Sequence, residues 1–232
     1  MQLEAITWQR MAERLAGHLD DREAARETAR EANREAAPGQ DIWQRVGIDG
    51  APAADTGVLA GHLADALRVR GRSVLVVPAE GFLRPASLRY EYGRQDVDSY
   101  LSGWYDTAAL WREVFGPTDP GGTGRVLPDL WDPVTDRATR SPYTELPPGG
   151  VLIVYGPLLL GHWFPFDLSV HIRLSPGALA RRTEESARWT LPAFARYEAD
   201  TDPASIADAL VRADDPRHPA WTGIRRSPGG PA

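Results

Sequence analysis

The sequence predicts a three-layer α/β fold built on a central parallel sheet and preceded by an N-terminal helical arm. Two observations carry this reading. Short, β-branched, near-continuously apolar runs alternate with stretches of helical pattern, as crossover connections between parallel strands require. The runs also lack polar alternation, which suits strands covered on both faces. The chain of 232 residues is long enough for one sizeable domain with its own core.

Leu3, Ile6, Met11 and Leu15 fit one helical face, and the alanine-rich, mixed-charge segment from Asp21 to Arg30 continues it. One or two helices are expected over 3–37, with the second half largely solvated. They form an arm over 1–40 that is able to act as a packing or homo-oligomer contact. The strands expected next are 46–49, 73–77, 151–154 and 168–172. Helices are expected over 57–70, 107–115, 176–189 and 203–211. Between 116 and 150 proline and glycine dominate, including Asp119-Pro120-Gly121-Gly122 and Pro147-Pro148-Gly149-Gly150. A long excursion with a hairpin fits that composition. The domain is expected over 41–221, with a disordered tail over 222–232.

Composition excludes several function classes. The net charge of −6 argues against nucleic-acid and anionic-membrane partners, which need a basic face. Cysteine is absent, so disulfides, thiolate chemistry and cysteine-bound metal are excluded. No run approaches a membrane span and the N-terminus has no secretory pattern, so a cytoplasmic protein is expected. The five histidines show no metal-ligand spacing and no metal is expected. Asp132 and Asp136 are not expected to share a ligand face, because Pro133 breaks the segment between them.

All 26 basic residues are arginine. That bears on the segment from Val46 to Ala60, a buried run, a small-residue turn and a helix. Laid on a Walker A loop, Gly50 stands at the first glycine, Asp55 at the second, Thr56 at the lysine and Gly57 at the magnesium-binding hydroxyl. The loop is therefore expected to be degenerate, with Asp55 capping the following helix in place of a bound anion.

Further landmarks follow in order. Ala79-Glu80-Gly81-Phe82-Leu83-Arg84-Pro85 resembles a D-G-F-H-x-P segment, and Ser99-Tyr100-Leu101-Ser102-Gly103-Trp104-Tyr105-Asp106 a G-Y-Y-x-D-S-x-D segment. Val154-Tyr155-Gly156-Pro157 stands where V-D-G-P is found, Ala180-Arg181-Arg182 resembles the start of an arginine-bearing lid, and Asp214-Asp215-Pro216 a late N-x-D-P loop. From about Arg45 to Trp221 the chain thus resembles the uridine kinase-like P-loop family of nucleoside and small-alcohol kinases. That resemblance implies a P-loop NTPase-like fold, an ATP donor site and an acceptor pocket whose acid lies at Glu80. The departures fall on the donor side: Tyr155 replaces the third-strand acid, and Glu185 and Ser186 replace lid positions after Arg182.

The acceptor side keeps its chemistry. Glu80 is the candidate acid/base, with Tyr155 as its partner. Phe82, Arg84, Arg89, Tyr100, Trp104 and Tyr105 are the candidate substrate-binding residues: arginines for anions, aromatics for a flat or sugar-like ligand. The expected function is binding of a small hydroxylated or nucleoside-like metabolite, as a repurposed enzyme or a ligand-sensing pseudokinase, with no cofactor. Two alternatives stand beside it. One is an ATP- and magnesium-dependent kinase that uses arginine in place of lysine; the other is a structural or interaction protein.

Overall fold

The computed structural model describes residues 3–32 and 43–225. A seven-stranded sheet forms its centre. The strands are β1 (Glu4–Ala5), β2 (Gln44–Asp49), β3 (Val74–Pro78), β4 (Val151–Gly156), β5 (Leu168–Arg173), β6 (Ala209–Arg212) and β7 (Ala220–Trp221). Their spatial order is β1-β7-β6-β5-β2-β4-β3. The five strands from β3 to β6 in that order run parallel, and β7 pairs antiparallel to both β6 and β1.

Alternation along each inner strand sends side chains to two covered faces. Val46, Ile48, Val151 and Ile153 enter one core with helix α1 (Trp8–Ala32) and helix α2 (Thr56–Val69). Leu152, Val154 and Val77 enter the other with Phe82, Val114, Phe115 and Trp43. At Gly47 a Cβ would lie 2.7 Å from the Phe166 ring, so glycine is what lets that aromatic cover the central strand. A third cluster, around Tyr100, Leu158, Phe194 and Tyr197, closes the top of the sheet. It joins helix α3 (Val97–Gly103) to helix α5 (Leu191–Asp200), and helix α4 (Pro176–Arg182) stands beside them.

The strand and helix alternation of the central region is as the sequence predicts. In the N-terminal arm a single helix, one of the two arrangements expected, runs from Trp8 to Ala32, and an edge strand that was not expected precedes it. Met11, Leu15 and Leu19 are fully buried in the first core, each contributing roughly 1.5–3 kcal/mol of burial, so its apolar stripe is covered by its own chain. Its second half is anchored as well, with Arg26 Nη2 2.6 Å from Asp167 Oδ1 while Arg45 donates to Asp167 Oδ2. Residues 33–42 and 226–232, parts of the expected arm and tail, lie outside the described residues.

Two predicted helices change. The segment expected to be helical over 203–211 contains a short helix (Pro203–Ile206) and then β6, whose Leu210 and Val211 pair in register with His171 and Ile172. The helix expected over 176–189 ends at Arg182, where Thr183 turns to extended backbone, and a 3-10 segment follows over Glu185–Thr190. The excursion from 116 to 150 holds two short antiparallel pairs, Arg125–Val126 with Thr144–Glu145 and Trp131–Asp132 with Arg137–Ala138.

Candidate functional site

The loop after β2 folds on itself. Backbone approach is tight at Gly50, where a Cβ would lie 2.8 Å from the Ile172 carbonyl oxygen. Pro52–Ala54 forms one 3-10 turn in which Ala54 N–H donates to Ala51 O at 2.7 Å and Asp55 N–H to Pro52 O at 3.2 Å. Asp55 is left-handed, with φ of 53°. It occupies the N-cap position of α2, yet its side chain makes no cap hydrogen bond. This corrects the expected cap, and the backbone gives the reason. Side-chain capping needs an extended N-cap residue, and a left-handed one turns its carboxylate away from the helix amides. Asp55 Oδ2 instead accepts from Arg182 Nη2 at 2.6 Å, while Arg182 Nη1 donates to Ala213 O at 3.0 Å. The lid-like helix α4 is thereby tied to the loop. Thr56 is buried as the first residue of α2, and Gly57 faces Tyr155, whose Cε2 would lie 3.1 Å from an added Cβ.

The acceptor segment turns where β3 ends. Ala79–Phe82 is a 3-10 turn, Leu83 bridges Tyr105, Arg84 N–H donates to Trp104 O at 2.8 Å and Asp106 N–H to Phe82 O at 2.8 Å. The two segments quoted from the sequence therefore lie side by side. A crevice of about 510 Å³ opens between them, the loop after β2 and the 3-10 segment beyond α4, and Glu80, Tyr100, Trp104 and Tyr105 line it. Glu80 is exposed and, among the described residues, its carboxylate accepts no hydrogen bond. Burial raises the Tyr100 and Tyr105 hydroxyls above the ordinary tyrosine range, and the Glu80 charge adds to it, so both stay neutral near pH 7. Tyr155 is raised first by burial and then by Glu80. Register places Pro78 beside Tyr155, yet no hydrogen bond joins Glu80 to Tyr155.

Three of the predicted binding residues lie elsewhere. Phe82 is fully buried in the second core, because the 3-10 turn directs it under the sheet rather than over it. Arg89 is 5% exposed and fully engaged. It donates to Arg84 O at 2.7 Å, pairs with Asp136 at 3.1 Å and lies 5.1 Å from both the Tyr90 and Trp104 ring centroids. Arg84 lines a separate shallow hollow with Tyr92 and Ser102. Asp132 turns inward on its own loop through Thr135, apart from Asp136.

A buried polar chain goes unnoticed in the sequence. Asp49, the last residue of β2, is fully buried; its Oδ1 accepts from Leu159 N–H at 2.8 Å and its Oδ2 lies 2.7 Å from His171 Nδ1. His171 Nε2 lies 3.0 Å from Glu198 Oε1, and Arg173 Nε 3.0 Å from Glu198 Oε2. Burial alone would push the imidazole down, but its two carboxylate partners outweigh that and raise it to about 9. A second, apolar cavity of about 460 Å³ reaches His171 and Glu198 past Leu179 and Phe194. The only signal available in the sequence was a histidine inside an apolar strand and an acid at another's end, and nothing local said that β2 and β5 would be neighbours.

Among the described residues no cluster of acidic, histidine or cysteine side chains is arranged to hold a metal ion. No helix of the described residues is long and apolar enough to cross a membrane. Neither a family model nor a curated protein sequence matches the chain. Solved structures do. A possible uridine kinase from Bacillus stearothermophilus superposes with a TM-score of 0.59 at 20% identity, covering 79% of this chain and 95% of that one. A protein assigned as a fructose transport system kinase from Silicibacter sp. TM1040 gives 0.53 at 24% identity over 76% and 91%. The YGR205w protein gives 0.51 at 12% over 90% and 99%. With a mostly parallel sheet, a loop and helix after its central strand, and likenesses spanning nearly the whole of those chains, this protein has the P-loop kinase-like fold.

Proposed function

We propose that the protein binds a small hydroxylated or nucleoside-like metabolite in the crevice at Glu80, and that the loop after β2 does not serve as a triphosphate cradle. The observation that carries this reading is the Asp55–Arg182 pair across the crevice mouth. An unpaired carboxylate about 4 Å from a phosphate oxygen would cost on the order of 4 kcal/mol per charge pair at a near-surface effective dielectric of 20, and the pairing with Arg182 lowers that cost only by withholding the guanidinium from the phosphate. Among the described residues the one guanidinium lining the crevice, Arg182, is already held by that carboxylate and by a backbone carbonyl. Loop amides that would face a phosphate in a Walker A loop donate to Ala51 and Pro52 instead. Tyr155 stands at the end of β4 where the family resemblance places a metal-binding acid.

Ligands of open parallel sheets collect at the carboxyl ends of the strands, where this crevice lies. Glu80 is placed to take a proton from a ligand hydroxyl, with Tyr100 and Tyr105 as neutral hydrogen-bonding neighbours. Calorimetry with uridine and with magnesium ATP tests the reading. Uridine or a comparable polyol should bind and ATP should not; micromolar ATP affinity in the unaltered protein refutes it. If a reaction accompanies binding, Glu80→Gln lowers turnover by ~10²–10⁴-fold.

A further inference from the structure

We infer that the ligand of this crevice carries a positively charged amine, with its ammonium group against Glu80. The inference rests on the crevice being the binding site, and it names the chemistry that site selects. Three carboxylates line the crevice, at Asp55, Glu80 and Glu184, against a single guanidinium, Arg182. Arg182 is neutralised locally by Asp55 at 2.6 Å, and among the described residues neither Glu80 nor Glu184 has an ion-pair partner. Both of those are exposed and line the crevice. Such a field attracts a cation and repels a phosphate or carboxylate.

Part of the remaining wall is aromatic, as a cation site favours, and small, aliphatic and hydroxyl side chains complete it. Tyr100 packs edge-on to Trp104 and Trp189, with ring centroids 4.9 and 5.5 Å away, and those two indoles lie 5.4 Å apart. The tyrosine hydroxyls beside Glu80 are neutral and can accept from an ammonium group. The hydroxyl on the same ligand is the one the proposed function already calls for. Arg89, 5.1 Å from the Trp104 ring centroid, is paired with Asp136 at 3.1 Å. Amine and hydroxyl on one small scaffold is the class that results: an amino sugar, an amino alcohol or an aminated nucleoside.

Two matched pairs test this by calorimetry at neutral pH and low salt: 5′-amino-5′-deoxyuridine against uridine, and glucosamine against glucose. In at least one pair the amine should bind about tenfold tighter or better, and Glu80→Gln should abolish that preference. Equal or tighter binding of the neutral members overturns the amine inference while the crevice reading stands. No binding by any of the four at millimolar concentration overturns both. An amine preference that survives Glu80→Gln also overturns the inference, since it places the cation elsewhere.

Discussion

The buried chain from Asp49 through His171 to Glu198 gives a pH-dependent stability whose sign is fixed by geometry. His171 is 2% exposed and held between two carboxylates at 2.7 and 3.0 Å, and its pKa is raised from 6.5 to about 9. Because the folded state holds the proton more tightly than the unfolded chain, this contribution is fully present below pH 6.5 and is lost as the pH rises through about 9. A shift of that size corresponds to on the order of 3 kcal/mol. His171→Gln removes the cation and leaves Asp49 and Glu198 facing an amide, which should cost roughly 3–5 kcal/mol at pH 6 as a broken buried pair. Tyr197, His162 and Arg173 also face the pair and are present in both proteins. Urea unfolding of both, from pH 6 to pH 9.5, reads the gap directly. It should narrow steadily above pH 6.5. A gap that stays constant, or an imidazole carbon resonance in the unaltered protein that titrates near 6.5, refutes the reasoning; the resonance decides the matter even if the variant does not fold.

Three further outcomes follow from particular contacts. Asp55→Asn should cost no more than about 1 kcal/mol, since the pair is partly exposed, yet amide exchange over residues 176–190 should accelerate once α4 is released; unchanged exchange sinks the proposed tie. Phe82→Ala should destabilise by roughly 3–5 kcal/mol as a core truncation, measured by chemical denaturation, and a cost below 1 kcal/mol would mean the side chain is not where it is described. Gly47→Ala must displace the Phe166 ring from 2.7 Å, which should cost roughly 1–3 kcal/mol and lower the thermal midpoint; a neutral result would show that the ring yields freely.

The inner strands were legible because burial on both faces writes them as unbroken apolar runs. Val151–Gly156 and Leu168–Arg173 could be read that way, and Glu4–Ala5 and Ala220–Trp221 could not. Edge pairs two residues long carry no periodicity, and β6 was hidden behind Pro203, which opens a short helix six residues earlier. Within the crevice, Glu80, Tyr100, Trp104 and Tyr105 were found because they sit in two short segments whose backbones then pair. Phe82 and Arg89 were misplaced because sequence gives proximity along the chain but not the side of the turn a side chain takes. Trp189 was missed for the opposite reason: it reaches Trp104 from a segment more than eighty residues away. Asp49 and His171 became a pair only through register, where they lie directly across neighbouring strands.

The central strand, Gln44–Asp49, has as its sheet neighbours Val151–Gly156 and Leu168–Arg173. During synthesis it leaves the ribosome with both backbone edges open, and about a hundred residues of chain follow before the first partner exists. At a translation rate of 5–20 residues per second that interval lasts several seconds, longer than a hairpin or a helix pair needs to form. The helices on either side of it, α1 and α2, bury Met11, Leu15, Leu59 and Leu63 in one shared core and are both made in the meantime. They can shelter one face of the waiting strand, but not its hydrogen-bonding edges. A nascent chain stopped short of residue 151 is therefore the species most exposed to edge-to-edge association, and the loop that connects β3 to β4 sets how long that exposure lasts.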